Sequence, residues 1–304
     1  MIDLREITEQ TEEICLEAIR QKPESFKDVD FQTPKICLET VKLNGLLLEF
    51  VREQTEDICI KSVKQNPEAI KYVEFQTPSI CMETVKRNGL LLPIIREQTE
   101  ELCLEAVKNN GLALEYVEYQ TLTVCKEAVK QNWEAIKYVK NQTDELCWIA
   151  LKTSPYALAF IENQTDEMCI DAFKRDYSIR GDYSMVKYFR HQTIELCMIC
   201  VKIFGYALRY VDEQTPEICM AAVKQCGDAI QFVDEKTPEI CMAAVRQYGM
   251  ALRYVEEQTE EICLAAITQD HWAIQLVTNQ TPELCLEAVR KKWEVIQCIK
   301  NQTR

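Results

Sequence analysis

The sequence predicts an all-α fold: an α-solenoid of thirteen 22-residue two-helix repeats wound into an elongated superhelix. Three observations predict it. The pair Gln-Thr begins at Gln10 and returns every 22 residues through Gln164, then at Gln192, Gln214, Gln258, Gln280 and Gln302, with Lys236 standing in once. Between these marks, small and apolar residues recur at spacings that gather them on one side of a helix. Only 7 glycines and 9 prolines occur in 304 residues that are 47% hydrophobic, so a continuous core is available and a loop-rich or all-β chain is not indicated. A fixed short period of this kind is the signature of a repeat array.

Each repeat is numbered here from its Thr, at position 1. That Thr reads as a helix N-cap. Position 2 is Pro in five repeats (Pro34, Pro78, Pro216, Pro238 and Pro282), where a helix tolerates it. Positions 4, 5, 8 and 9 form the buried stripe, as in Ile218, Cys219, Ala222 and Val223. Position 3 is mostly acidic and position 10 basic in twelve repeats, which suits the helix dipole. Position 12 supplies a second cap, as Asn66, Asn88, Asn110, Asn132, Ser154 or Asp270. Position 13 is usually Pro or Gly, and positions 15, 16 and 19 are apolar. The expected repeat is a helix of about ten residues, a sharp turn, and a helix of about eight. Helices that short are marginal alone and persist by stacking on their neighbours. Pro93, at position 17, predicts a broken or shortened second helix in its repeat.

Residues 1–10 read as the second half of an earlier repeat, its second helix only. Residues 11–302 form a single array, with a six-residue insertion within 175–184 of the eighth repeat. The insertion carries "DYS" twice, at Asp176 and Asp182. "QTPKICLETVKLNGLLL" (from Gln32) returns as "QTPSICMETVKRNGLLL" (from Gln76), so the array also grew by duplication of pairs.

The stretch "AVKNNGLALEYV" (Ala106–Val117) resembles the short helical repeats known as domains of unknown function in giant viruses, algae and some bacteria. The likeness extends over nearly the whole chain. It implies a helical-hairpin array and carries no agreed activity. The strict 22-residue period and the Cys at every position 5 depart from that pattern.

Composition narrows the function classes. A formal net charge of -14 disfavours nucleic acid and anionic membrane as partners. No stretch approaches the roughly 20 apolar residues of a membrane span. The N-terminal residues lack the apolar run of a signal peptide. A soluble protein of the cytoplasm, or of the host cytoplasm if viral, is expected.

Thirteen of the 16 cysteines occupy position 5, from Cys15 to Cys285. Equivalent helices should pack about 8–10 Å apart, too far for a disulfide or a shared metal ion. The column instead reads as a small packing residue at a cramped seam, kept as thiol in a reducing compartment. Cys200, in the CxxC with Cys197, reads as a substitute for the small residue of position 8.

The two histidines, His191 and His271, lie in different repeats. Neither a catalytic triad nor a phosphate loop is written, so a non-enzyme without metal or cofactor is expected. Position 18 is aromatic in nine repeats: Phe50, Tyr72, Tyr116, Tyr138, Phe160, Tyr188, Tyr210, Phe232 and Tyr254. These rings either fill gaps between stacked second helices or grip a partner through ring faces and hydroxyls. The Gln at position 22 reads as a structural amide between consecutive loops. Tyr177, Arg180, Asp182 and Tyr183 in the insertion form a candidate contact loop. The leading expectation is an interaction scaffold that binds a protein or peptide along an extended groove. Alternatives are a self-assembling element, through homo-oligomer contacts at the solenoid ends, and, less favoured, an RNA-binding repeat.

Overall fold

A computed structural model describes residues 2–180 and 184–299. It forms two compact bodies, Met1–Ile161 and Glu162–Arg304. Each body is a solenoid in which every α-helix packs on the α-helix of the next repeat. The first stacks the α-helices from Glu12–Gln21 to Asp144–Thr153, and the second those from Asp166–Arg180 to Pro282–Lys291. Among the described residues every element is helical.

The caps act as the sequence implies. All thirteen Thr hydroxyls at position 1 accept from the backbone N–H of position 4, as Thr11 does from Ile14 and Thr193 from Leu196. The Asn of position 12 accepts from the N–H two residues on, as Asn110 does from Leu112 at 3.0 Å. Ser154 and Asp270 do the same.

The second element differs from the expected α-helix of about eight residues. It is a 3-10 helix, of six residues in twelve of the repeats, such as Gly45–Phe50 or Gly205–Tyr210. The extended residues at positions 12 and 19 leave room for only six helical residues, and i→i+3 bonds close it: Leu47 N–H to the Asn44 carbonyl, Val51 N–H to that of Leu48. Three residues per turn aligns positions 13, 16 and 19 on one line. Gly45, Leu48 and Val51, the residues at those positions, are all buried. Pro93 does not break its helix. Gly89–Ile94 has the ordinary six residues, and the bonds from Leu91 and Ile95 are kept. The fixed φ of proline suits a 3-10 helix, and the single forfeited bond lies on the exposed side.

The insertion enters the eighth repeat as helix. Its α-helix runs Asp166–Arg180, 15 residues where the others have 10, because neither Gly nor Pro interrupts the sequence before Gly181.

Side-chain amides join successive repeats. The position-22 Gln bridges the backbone of the next repeat at two points: Gln32 Nε2 donates to the Phe50 carbonyl at 2.8 Å, and its Oε1 accepts from Arg52 N–H at 2.9 Å. Gln54, Gln98, Gln120, Gln192, Gln214 and Gln258 repeat both bonds. The structural role expected of this column is therefore what the amides perform. The same Oε1 is 3.4–4.0 Å from the position-5 sulfur in ten repeats.

That contact adds a reason for cysteine to the packing one. The thiol is small and apolar enough for the seam, and its S–H is a weak donor to the bridging amide. All sixteen cysteines are free, and twelve of the thirteen in the column are buried. Burial pushes their acidity down: Cys59, Cys103, Cys147 and Cys197 are raised to about 11 and Cys169 to about 12. Cys200 is fully buried, where Ala, Thr or Ser stands in the other repeats, and is raised to about 12.

Candidate interaction surface

Each body has two outer layers, one of α-helices and one of 3-10 helices. In the 3-10 layer positions 15, 16 and 19 point inward, which turns positions 14, 17 and 18 outward. The nine rings of position 18 are accordingly half-buried or exposed, with Tyr116 38% and Phe160 37% accessible. They are neither core residues nor loose surface groups.

The cations of position 17 lie over these rings. Lys71, Lys187 and Arg253 each stack on the ring of their own repeat, at Tyr72, Tyr188 and Tyr254. Lys27 reaches the next repeat, 4.4 Å from the centre of Phe50. Two cations span both: Lys137 lies 4.9 Å from Tyr138 and 6.0 Å from Phe160, and Arg209 lies 5.8 Å from Tyr210 and 5.7 Å from Phe232. The result is a row of rings partly covered by cations; in the first body Glu49, Pro93 and Glu115 interrupt the cations at position 17 and Ile94 interrupts the rings.

In the second body further rings thicken the row. Tyr177, Phe204, Tyr206 and Phe232 form a chain with centroid separations of 5.2, 5.4 and 5.6 Å. The Tyr206 hydroxyl donates to Asp228 at 2.8 Å, and Gln231 Nε2 donates to the same carboxylate oxygen at 3.0 Å. Burial, then the bond to Asp228, raises the phenol's pKa well above its ordinary value. Tyr206 therefore stays a neutral hydroxyl. In the first body Trp133 adds to the row beside Phe160, at 6.1 Å.

Of the insertion residues, Tyr177 lies on the lengthened α-helix rather than in a loop and joins this ring chain. Arg180 ends that helix, and its side chain lies outside the described residues, as do Asp182 and Tyr183. Among the described residues no group of three or more His, Cys, Asp or Glu side chains could hold a metal ion. Among the described residues no helix is long and apolar enough to cross a membrane.

A second set of rings escaped the sequence reading. At position 21, Phe31, Phe75 and Tyr119 project from the loop edge of the first body, the last two 79% and 83% exposed. They stand 44 residues apart, in alternate repeats. The intervening repeats carry Arg52, Arg96 and Lys140 at position 20, whose side chains donate back to the carbonyls of Asp30, Glu74 and Glu118. Clefts of about 500 and 410 Å³ open beside Phe75 and Tyr119, floored by Cys81 and Cys125. The 44-residue spacing was the available signal.

A family described as a domain of unknown function, DUF4116, matches residues 99–143, 193–237 and 215–259. Each match spans two hairpins, and the second and third are offset by one 22-residue repeat. The match therefore follows the stacked pair rather than any single hairpin. No curated protein matches the chain.

Proposed function

We propose that this protein is a non-enzymatic scaffold that holds an extended peptide segment of another protein along the 3-10 layer. The observation that carries this reading is the row in which Lys137 and Arg209 each stack on the rings of two successive repeats. Ring faces offer large contact area at small entropic cost, and the cations favour a segment that carries carboxylates. The period supports an extended ligand. Repeats about 8–10 Å apart match one three-residue turn of an extended polyproline II chain at about 3.1 Å per residue, so one side chain in three meets each ring.

Panning a displayed library of random peptides against the full chain tests the reading. Selected peptides should be extended and acidic. They should lose at least tenfold in affinity when Tyr116, Tyr138 and Tyr210 are replaced by Ala, with the melting temperature nearly unchanged. Peptides that bind the triple variant as well as the parent, or a variant that unfolds, would remove the ring row as the site.

Self-assembly through the ends is a second reading. Leu286, Trp293 and Ile296 of the last repeat are 53%, 71% and 47% exposed, apolar surface that a stacked copy would cover. Replacing Trp293 with Glu should abolish any concentration-dependent growth in light scattering; growth that persists would remove this reading.

A further inference from the structure

The α-layer of the second body changes character at repeats nine to twelve. At position 7, repeats one to six carry Glu17, Glu39, Lys61, Glu83, Glu105 and Glu127; repeats nine to twelve carry Ile199, Ala221, Ala243 and Ala265. Position 6 beside it is Met198, Met220, Met242 and Leu264. Ile199 and Leu264 are exposed and the other six half-buried. Methionine and leucine side chains thus line shallow apolar grooves of about 570 Å³ at Met220 and Ala221 and about 540 Å³ at Met242, Leu264 and Ala265.

The same exchange releases charge. In four repeats of the first body the position-7 Glu pairs with the cation of position 10: Glu17 with Arg20 at 4.0 Å, Glu39 with Lys42 at 2.7 Å, Glu105 with Lys108 at 2.8 Å and Glu127 with Lys130 at 3.1 Å, while Glu83 pairs with Arg87 and Lys64 instead. With Ala there, Lys224 and Arg246 have no such partner. They and Lys202 form an exposed cationic row along one side of the apolar stripe. Exposed Glu195, Glu217, Glu239 and Glu261, at position 3, form an acidic row along the other.

A stripe with acid on one side and base on the other is complementary to itself. Rotating a second stripe by 180° about the stripe's own axis brings apolar surface onto apolar surface. It also brings each acidic row opposite a basic one. Rotation about the perpendicular in-plane axis would oppose like charges. We infer that a second copy of this chain docks here, forming a two-fold dimer through the α-layer of residues 194–269 with the two stripes parallel. This contact is independent of the ring row and of the solenoid ends.

The stripe spans three helix-to-helix steps of about 8–10 Å and a helix length of about 15 Å, so each copy contributes about 400 Å². That is below the about 800 Å² per partner of a standard interface, which makes the dimer a weak one. Ends-directed stacking would grow with concentration beyond two copies; this contact stops at two.

Analytical ultracentrifugation of the full chain from about 5 to 500 µM at low salt provides the test. The expected result is a monomer–dimer equilibrium that weakens as salt rises, because the rows are exposed. Ala221→Glu with Ala243→Glu, which restores the carboxylates of the first body, should leave a monomer with an unchanged melt. Should that variant fold poorly, charge reversal supplies a second reading. Lys224→Glu with Arg246→Glu should abolish the dimer, and adding Glu217→Lys with Glu239→Lys should restore it. A parent that stays monomeric throughout, a dimer unaffected by the Glu variant, or reversal without rescue would each overturn the inference.

Discussion

Gln65 Oε1 accepts a hydrogen bond from the backbone N–H of Gly45, 20 residues earlier, at 2.6 Å. Its Nε2 reaches the carbonyl of Leu43 at 3.3 Å. The pairing recurs wherever position 13 is Gly. Gly89 donates to Asn109, Gly111 to Gln131, Gly205 to Gln225, Gly227 to Gln247 and Gly249 to Gln269. Where position 13 is Pro, at Pro23, Pro67 and Pro155, the next repeat places Leu43, Arg87 and Arg175 at position 11 instead. Proline has no N–H to satisfy, so no amide is needed. Glycine is required at its six sites because a Cβ there would run into the position-8 carbonyl of the next helix; at Gly227 it would lie 2.5 Å from the Ala244 oxygen. Neighbouring repeats are therefore matched pairs, not interchangeable tiles.

That match predicts unequal costs for similar truncations. Gln247→Ala leaves the Gly227 N–H without its acceptor and should cost about 1–3 kcal/mol. Gly227→Ala forces the helices apart and should cost about 1–3 kcal/mol by overpacking. Arg87→Ala, at the same position but following Pro67, should stay within about 0.5 kcal/mol. Urea unfolding of the three variants checks the order; equal losses would refute the pairing.

The thiol column predicts a pH dependence. Cys59 and Cys103 are raised to about 11 and Cys169 to about 12, chiefly by burial. The folded state thus holds these protons more tightly than the unfolded chain, whose thiols titrate near 8.5. Stability from this source is fully present below about pH 8.5 and is lost as pH rises toward 11–12. Thermal melts should be flat from pH 7 to 8 and fall steeply above 9. Native thiols should label slowly at pH 8 and all at once on unfolding; rapid labelling of the folded protein would contradict a buried column.

Most of the fold was legible in the sequence because its signals are translational. Thr11 to Thr281 cap helices one repeat apart, and the position-22 amides mark each seam. The 3-10 form was missed because Leu48 and Val51 fit a 3.6-residue period over so short a run nearly as well as a three-residue one. The ring column at position 18 was visible as identity but not as setting. Its cations come from position 17 of the same repeat and of the one before, as Lys137 over Phe160 illustrates. The charge release at Lys224 and Arg246 was written at position 7, which shows its meaning only when compared across repeats that bury everything else alike.

Cys219 tests how far its seam tolerates change. Its sulfur lies 3.4 Å from Gln214 Oε1, and the residue is 3% exposed. Cys219→Ala removes one atom and a weak bond and should cost about 1 kcal/mol. Cys219→Asp buries a charge against an amide oxygen that can only accept, so it should cost several kcal/mol or unfold the second body. Equal melts for the two variants would place the column in water.

Lys236 is the one interruption of the bridging column, and it predicts a gain. Cys241 Sγ, lacking an amide at that position, turns to the Lys236 carbonyl at 3.9 Å. In the preceding repeat Gln214 holds the Phe232 carbonyl at 2.8 Å and the Asp234 N–H at 3.1 Å. The equivalent groups in the next seam are the Tyr254 carbonyl and the Glu256 N–H. Lys236→Gln supplies one amide to both, as well as an acceptor for the Cys241 thiol. It should raise stability by about 0.5–2 kcal/mol. The added stability should vanish in Lys236→Leu, which removes the charge without supplying the amide; an equal gain in both variants would assign the effect to charge alone.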